Sequence, residues 1–319
     1  MDTDVQRYLA DLLDAAHAAL GSNLIGAYAA GSIAFDAYLP GRSDVDVALV
    51  CEESLDPERR LDLISRLRHE ALPCPARGLE LVLYRREVAQ SGTPEAGFEL
   101  ELNSGPRMQF RATNSVADRP AADGLFWYAL DRSILHQRGL AVLGAAPEEM
   151  FADLSSVDLH RLLIDALHWW LALPTPSSDQ PAPGAEDAVL GACRSLVTFR
   201  CGVWLDKVGA GRHLIAAGDP SALIEQSIEA RSGGQPPTGR EARAFQQRVI
   251  DEVSAGPTRH RFNPASLPAR LANQRAAMPP PSAVARGMTS HRGQSRQLFQ
   301  RSLAIGSDIR STAGPDQFI

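Results

Sequence analysis

The segment SDVDVALVC at residues 43–51 is the feature that most constrains the fold of this chain. Its first half alternates carboxylate and apolar residues, and its second half is apolar throughout. Alternation with a period of two is typical of a β-strand with one solvated face, whereas a continuous apolar run is typical of a strand covered on both faces. We therefore predict a strand that begins at the solvent and ends inside a covered sheet.

The surrounding residues alternate between helical and extended patterns. A short helix follows the run NLIGAYAA and is ended by Pro40 and Gly41. The other apolar periodicities predict helices over residues 4–20 and 55–72 and strands over residues 23–30, 78–85 and 98–102. This order of elements predicts an α/β fold for the N-terminal part of the chain.

Beyond about residue 120 the pattern becomes helical. Apolar stripes predict helices over residues 159–170, 186–206, 220–231 and 238–253. After residue 255 proline, arginine, serine and glutamine dominate, and such a composition buries too little apolar surface to order itself. We predict an α/β domain at residues 1–130, an all-α helical bundle at 131–255 and a disordered Arg/Pro-rich tail at 256–319.

Charge and hydropathy limit the compartment and the partners. Residues 1–255 carry a net charge of −13 and residues 256–319 carry +7. The N-terminus lacks the pattern of a signal peptide, and no segment has the roughly 20 apolar residues of a membrane helix.

The acidic body favours a cationic small-molecule ligand. We expect a cytoplasmic monomer that binds no membrane and no nucleic acid. The alternative is that the arginines of the tail contact nucleic acid or membrane phosphates.

Two carboxylates and a glycine-serine pair carry the chemistry. Residues i and i+2 of a strand share a face, so Asp44 and Asp46 project side by side. Two adjacent carboxylates repel unless a cation lies between them, and Mg²⁺ joins carboxylates to substrate phosphates. Gly31 permits close approach of a ligand to the backbone, and Ser32 with the following N–H groups can bind a phosphate. Together these residues predict a nucleotide–metal site.

A third carboxylate comes from a later strand. Glu80 lies on the predicted strand at 78–85, with its apolar neighbours pointing to the opposite face. Glu99 and Glu101, on the next predicted strand, are alternatives. Other nucleotide chemistries lack their signatures, since neither a P-loop nor a protein-kinase catalytic loop occurs in the sequence.

This combination of GS, a short helix, SDxD and a later strand acid resembles the nucleotidyltransferase superfamily of polymerase-β type. Over residues 24–253 the chain resembles the aminoglycoside adenylyltransferases that inactivate spectinomycin and streptomycin. The resemblance rests on the segments GAYAAGSIAFDAYLPGRSDVDVALV, LELVLYRREV, LHQRGLAVLGAAPEEMF and DAVLGACRSLVTFRCGVWLDK. It implies a nucleotidyltransferase domain built on a mixed sheet with flanking helices, followed by a helical domain that binds nucleotide and substrate.

The resemblance also implies roles for individual residues. Asp44 and Asp46 match metal-binding, catalytic aspartates, and Glu80 matches the acid that removes a proton from the attacking hydroxyl. The resemblance implies that five further residues bind the nucleotide: Gly31, Ser32, Ser43, Arg194 and Lys207. Of these, Gly31 and Ser32 form the phosphate-binding turn. Lys207 is the only lysine of the chain, beside 31 arginines, which strengthens the match.

The implied reaction moves AMP from Mg²⁺-bound ATP to a hydroxyl of an aminoglycoside-like acceptor and releases pyrophosphate, an antibiotic-resistance activity. Two departures argue against streptomycin and leave spectinomycin favoured. Thr113 stands at the position of a streptomycin-binding tryptophan, and Gly184 stands at that of an acid, with Glu186 and Asp187 nearby. The alternatives are a nucleotidyltransferase for another metabolite or a protein, and a non-catalytic relative that binds nucleotide or nucleic acid.

Overall fold

A mixed β-sheet is the framework of the chain within residues 1–173 and 178–256, the residues that the computed structural model describes. Six strands occur in this part: β1 Leu24–Ala29, β2 Val45–Cys51, β3 Leu79–Arg85, β4 Phe98–Gly105, β5 Met108–Thr113 and β6 Leu140–Leu143. They lie in the order β5-β4-β3-β2-β1-β6. Strands β2 and β3 are parallel, and the other neighbouring pairs are antiparallel.

Helices flank the sheet and make up most of the described residues after β6. Within the same ranges they are α1 Thr3–Leu20, α2 Gly31–Ala34, α3 Pro57–Leu67, α4 Arg86–Ala89, α5 Phe126–Arg138, α6 Pro147–Met150, α7 Ser156–Ala172, α8 Ala185–Cys201, α9 Lys207–Ala216, α10 Ser221–Ala230 and α11 Gly239–Ser254. Side chains that accept from N–H groups of the first turn begin several of them: Asp2, Asp56, Ser155, Asp206 and Thr238. The expected mixed sheet with flanking helices is confirmed.

The two faces of the sheet bury different helices. Odd-numbered residues of β2, such as Val47 and Leu49, lie in one apolar cluster with side chains of α1 and α3. Even-numbered residues, such as Ala48 and Val50, lie in a second cluster with side chains of α5. Because strand side chains alternate, Asp46 belongs to the face that α5 covers.

Helix α8 is the centre of the helical part. It packs against α7, α9, α10 and α11, and most of its side chains are buried. A third apolar cluster joins α5 to α7 and contains Trp127 and Trp204, with Trp169 and Trp170 packed against it. Trp127 and Trp204 are therefore core residues, whereas Trp169 and Trp170 are partly buried at its border.

The structure corrects one prediction that affects the site. We predicted a single helix over residues 186–206, but α8 ends at Cys201 because Gly202 adopts a left-handed conformation with φ 68°. A new helix, α9, begins at Lys207. Arg194 and Lys207 therefore reach the site from different helices. Strand β2 also begins one residue later than predicted, so Asp44 lies just before it.

The division into domains at residue 130 stays a prediction. The predicted tail at 256–319 lies outside the described residues except for Gly256. None of the helices in the described part of the chain is long and apolar enough to cross a membrane.

Candidate active site

The turn between β1 and α2 brings the backbone against a carboxylate. Gly31 has a positive φ of 51°, and a Cβ at this position would overlap the side chain of Asp46. The N–H of Ala30 donates to the carbonyl oxygen of Asp46 at 2.9 Å. The hydroxyl of Ser32 is buried and has no hydrogen-bond partner among the described residues. Only glycine fits this turn, and the unpartnered hydroxyl is available to a ligand.

Asp46 and Glu80 are directly paired across the parallel strands β2 and β3. One carboxylate oxygen of Glu80 is buried and has no partner within the described residues. Asp44 lies two residues before Asp46 and accepts two hydrogen bonds from Arg77, at 2.9 and 2.7 Å. The structure thus brings together the three acids that the sequence analysis selected.

Burial and mutual repulsion raise the pKa of these acids. Burial, with the charges of Asp44 and Asp131, raises the pKa of Asp46 to about 7. Burial, with the charges of Asp46 and Asp44, places the pKa of Glu80 well above its ordinary value. Burial also raises the pKa of Asp44, although Arg77 opposes it. The cluster therefore stabilises ionised carboxylates poorly, and a nearby metal cation would favour their ionised form.

The alternative third acids are already ion-paired. Glu99 contacts Arg60 at 3.4 Å and Arg85 at 3.0 Å. Glu101 contacts Arg111 at 3.1 Å and the buried Arg119. Glu80 is the better candidate because neither alternative pairs with Asp46 in the sheet.

The fit to a metal is partial within the described residues. They contain no group of three or more His, Cys, Asp or Glu side chains arranged to hold a metal ion, and both oxygens of Asp44 accept from Arg77. Magnesium, however, is commonly bound by one or two carboxylates, with substrate phosphates completing its coordination. Asp44 and Asp46 fit that kind of site.

Arg194 is a buried cation with spare hydrogen-bonding capacity. Its guanidinium lies over the rings of Phe35, at 5.2 Å, and Trp204, at 5.4 Å. The residue is 8% exposed, yet two of its nitrogens have no hydrogen-bond partner among the described residues. Burial of guanidinium nitrogens without hydrogen-bond partners costs free energy. An anionic ligand would supply those partners.

Lys207 belongs to an ion-pair cluster that the sequence analysis missed. Its Nζ lies 3.1 Å from Asp187, which also accepts from Arg42 at 2.7 Å and from Arg231. Glu186 accepts from the same Arg42 at 2.6 Å. Burial alone would raise the pKa of Asp187, but the three cations hold it well below its ordinary value. Glu186 and Asp187, which lie near the position of a streptomycin-binding acid in the resemblance, are thus both ion-paired.

Seven of the eight predicted site residues line one cleft of about 830 Å³; they are Gly31, Ser32, Ser43, Asp44, Asp46, Arg194 and Lys207. Ser43 is buried, and its hydroxyl accepts from the N–H of Leu39 at 3.0 Å. Glu80 lines an adjoining cavity of about 70 Å³ that shares Gly31, Asp46 and Arg194 with the cleft. The predicted residues therefore line two neighbouring cavities that meet at Gly31, Asp46 and Arg194.

Helix α5 contributes an acid to this site that no sequence signal identified. Asp131 lines the smaller cavity with Trp127 and Tyr128. Burial raises the pKa of Asp131 to about 7, against the attraction of Arg194 and Arg132. It lies within helical periodicity and carries no motif, so only its position on the helix that covers the Asp46 face of the sheet marks it.

Comparison with solved structures shows a similarity of fold. The chain resembles the crystal structure of the spectinomycin adenyltransferase AAD(9) from Enterococcus faecialis with ATP and spectinomycin, with a TM-score of 0.54 and 17% sequence identity. The match covers 78% of this chain and 99% of that one. No family profile and no curated protein sequence matches the chain. At this identity the similarity establishes the fold, and the resemblance inferred from the sequence is confirmed at that level.

Proposed function

We propose that the chain is a nucleotidyltransferase that moves AMP from ATP to a hydroxyl of a small acceptor. The observation that carries this proposal is the convergence of Asp46, Glu80 and Arg194 on one site, where two of the three have buried polar atoms without partners. A site with acids on one side and a buried cation on the other suits a metal-bound triphosphate. The same fold in an adenyltransferase crystallised with ATP supports the proposal.

Each residue has a chemical task in this reaction. The turn at Gly31 and Ser32 binds phosphate oxygens, and Arg194 and Lys207 offset charge on the triphosphate. Asp44 and Asp46 would hold Mg²⁺, which neutralises the phosphates and the departing pyrophosphate when bound.

Glu80 acts as the general base. Its unpartnered oxygen takes the proton of the acceptor hydroxyl, the acceptor oxygen bonds to the α-phosphorus, and the bond from that phosphorus to the β-phosphate bridging oxygen breaks. Burial and the charges of Asp46 and Asp44 raise the pKa of Glu80, and a general base is most effective when its pKa lies near the working pH.

We extend the proposal to the acceptor. The AAD(9) structure was determined with spectinomycin, and residues 1–255 carry a net charge of −13, which attracts cations. We propose a cationic, hydroxyl-bearing aminocyclitol of the spectinomycin type. Thr113 is buried at the end of β5 and Gly184 caps α8 in a left-handed conformation, so neither offers a ring or an acid to streptomycin.

A pyrophosphate-release screen with ATP and Mg²⁺ tests both parts. The panel contains spectinomycin, streptomycin, other aminocyclitols and uncharged sugar alcohols. The catalytic variants are Asp46→Asn and Glu80→Gln, and the matched control is Arg66→Gln, which removes an exposed ion pair on α3.

We expect release with spectinomycin, loss of release in both catalytic variants and no change in the control. Turnover by either catalytic variant at the parent rate would refute the assigned chemistry. Release with an uncharged acceptor alone would refute the cationic acceptor but leave the reaction class intact.

A further inference from the structure

Arg77 holds one of the acids of the site in a fixed orientation. Its Nε donates to Oδ1 of Asp44 at 2.9 Å, and a terminal nitrogen donates to Oδ2 at 2.7 Å. The two side chains are only 18% and 15% exposed. Two parallel hydrogen bonds fix the plane of a carboxylate as well as its position. Asp44 therefore cannot rotate without breaking this pair.

The main chain of Arg77 is itself anchored. Its N–H donates to the carbonyl oxygen of Ser43 at 3.3 Å, and its carbonyl oxygen accepts from the N–H of Arg107 at 3.1 Å. The next residue, Gly78, packs so closely on β5 that a Cβ there would lie 2.6 Å from the Cβ of Met108. The backbone that carries the Arg77 side chain is thus held in place beside the start of β3.

The pair leaves Asp44 able to bind a cation. Each carboxylate oxygen has two lone pairs, and Arg77 takes one on each oxygen. A side chain that is already ordered binds a metal without the entropy cost of being immobilised on binding. Hydrogen-bond partners of metal-binding side chains typically change metal affinity by about 10–100-fold.

We propose that Arg77 is a positioning residue for the cation. It holds the Asp44 carboxylate at the edge of the cleft in a fixed orientation that can bind the cation. The inference rests on the proposed function in one respect, that Asp44 is a cation ligand. The opposing possibility is that Arg77 is a resident cation that the metal must displace. The two differ in sign, because removal of a competitor tightens metal binding and removal of a positioning residue weakens it.

Titration of the full-length protein with Mn²⁺ alone, with free Mn²⁺ followed by electron paramagnetic resonance, separates these cases. The variants are Arg77→Gln, Arg77→Lys and Asp44→Asn, with Arg66→Gln as a control on an exposed arginine. We expect Arg77→Gln to weaken binding about 10–100-fold. Arg77→Lys should weaken Mn²⁺ binding nearly as much, because lysine keeps the charge but cannot make the bidentate hydrogen bonds to Asp44. The control should bind as the parent does.

Several results would overturn the inference. They are equal or tighter binding by Arg77→Gln, parental binding by Arg77→Lys, and no binding of Mn²⁺ by the parent protein. Parental binding by Asp44→Asn would instead remove the metal role of Asp44 and with it a part of the proposed function. Circular dichroism checks folding, and if Arg77→Gln unfolds, Arg77→Lys decides the matter because it keeps a cation beside Asp44.

Discussion

Asp46 and Glu80 are opposite each other in the parallel register of β2 and β3, on the sheet face that α5 covers. Residues opposite each other in adjacent strands lie close together, so two negative charges share a site that is poorly solvated. The same register sets Val45 opposite Leu79, and both are fully buried on the other face. The apolar residues thus fix a pairing in which the acids must meet, and their burial, together with this repulsion, gives the site its response to pH.

Metal binding should depend on pH near neutrality. The pKa of Asp46 is raised to about 7 by burial and neighbouring acids, so protons compete with a cation below that pH. We expect Mn²⁺ affinity to fall steadily as the pH is lowered from 8 to 6. Titrations at fixed ionic strength measure this, and a constant affinity over the range would contradict the raised pKa.

The stability of the metal-free protein should change with pH in the opposite sense. A carboxyl whose pKa is raised by folding contributes stability that is complete below its unfolded pKa and lost as the pH rises through about 7. Urea unfolding should therefore show a more stable protein at pH 6 than at pH 8. Because one pKa unit corresponds to about 1.4 kcal/mol, Asp46→Asn should gain about 1 kcal/mol or more at pH 8 and flatten the pH profile. A variant less stable than the parent at pH 8 would contradict this sign.

Substitution of Gly31 by alanine should disable the site. The new Cβ would overlap the Asp46 carboxylate, so Asp46 must move, and we expect at least a tenfold loss in Mn²⁺ affinity and in pyrophosphate release. Gly21→Ala is a matched control, because Gly21 also has a positive φ, 58°, but has no atom within 4 Å of the added Cβ. Both variants should lose about 1 kcal/mol of stability from backbone strain. If both bind Mn²⁺ as the parent does, the close approach of Gly31 has no role in the site.

Arg194→Met should separate stability from ligand binding. Methionine removes a buried charge with two nitrogens that make no hydrogen bond within the described residues, but it also removes the attraction of Arg194 for Asp131. These effects oppose each other, so the free energy of unfolding should change by less than about 1 kcal/mol. Hydrogen bonds to charged groups contribute about 1.5–3 kcal/mol, so ATP affinity should fall by about tenfold or more. Calorimetric titration with ATP and urea unfolding provide the two measurements. A strongly destabilised variant with normal ATP affinity would make Arg194 a structural residue.

The sequence predicted those parts of the site that depend on local pattern. Alternation in β2 placed Asp44 and Asp46 together, and the Gly31 turn was predicted from its position after β1. Asp46 and Glu80 lie on buried strands, where register follows from apolar residues. These were the strongest signals in the chain.

Features that depend on distant packing were missed or misplaced. Helix α8 was extended to residue 206 because the apolar pattern continues past Gly202, and a single glycine is a weak signal without its φ. Asp131 and Arg77 carry no motif, since their roles arise only when α5 covers the sheet and when the start of β3 meets Asp44. The ion pairs of Asp187 join residues up to 145 positions apart, and no local pattern reports such contacts.

Asp187 is the common partner of three cations at the cleft, and its removal should both destabilise the protein and increase its response to anions. Arg42, Lys207 and Arg231 all contact its carboxylate, and the loss of one partner from a buried pair costs about 3–5 kcal/mol. Because folding lowers the pKa of Asp187, the difference between parent and Asp187→Asn should persist above its ordinary pKa and shrink as the solution becomes more acidic. If the freed cations face the nucleotide, ATP should raise the melting temperature of the variant more than that of the parent.

Asp62→Asn, which breaks an exposed pair with Arg66, is the control and should change stability by less than about 1 kcal/mol. Equal stabilisation of parent and variant by ATP would show that these cations lie outside the phosphate site and would restrict phosphate binding to Arg194 and the Gly31 turn.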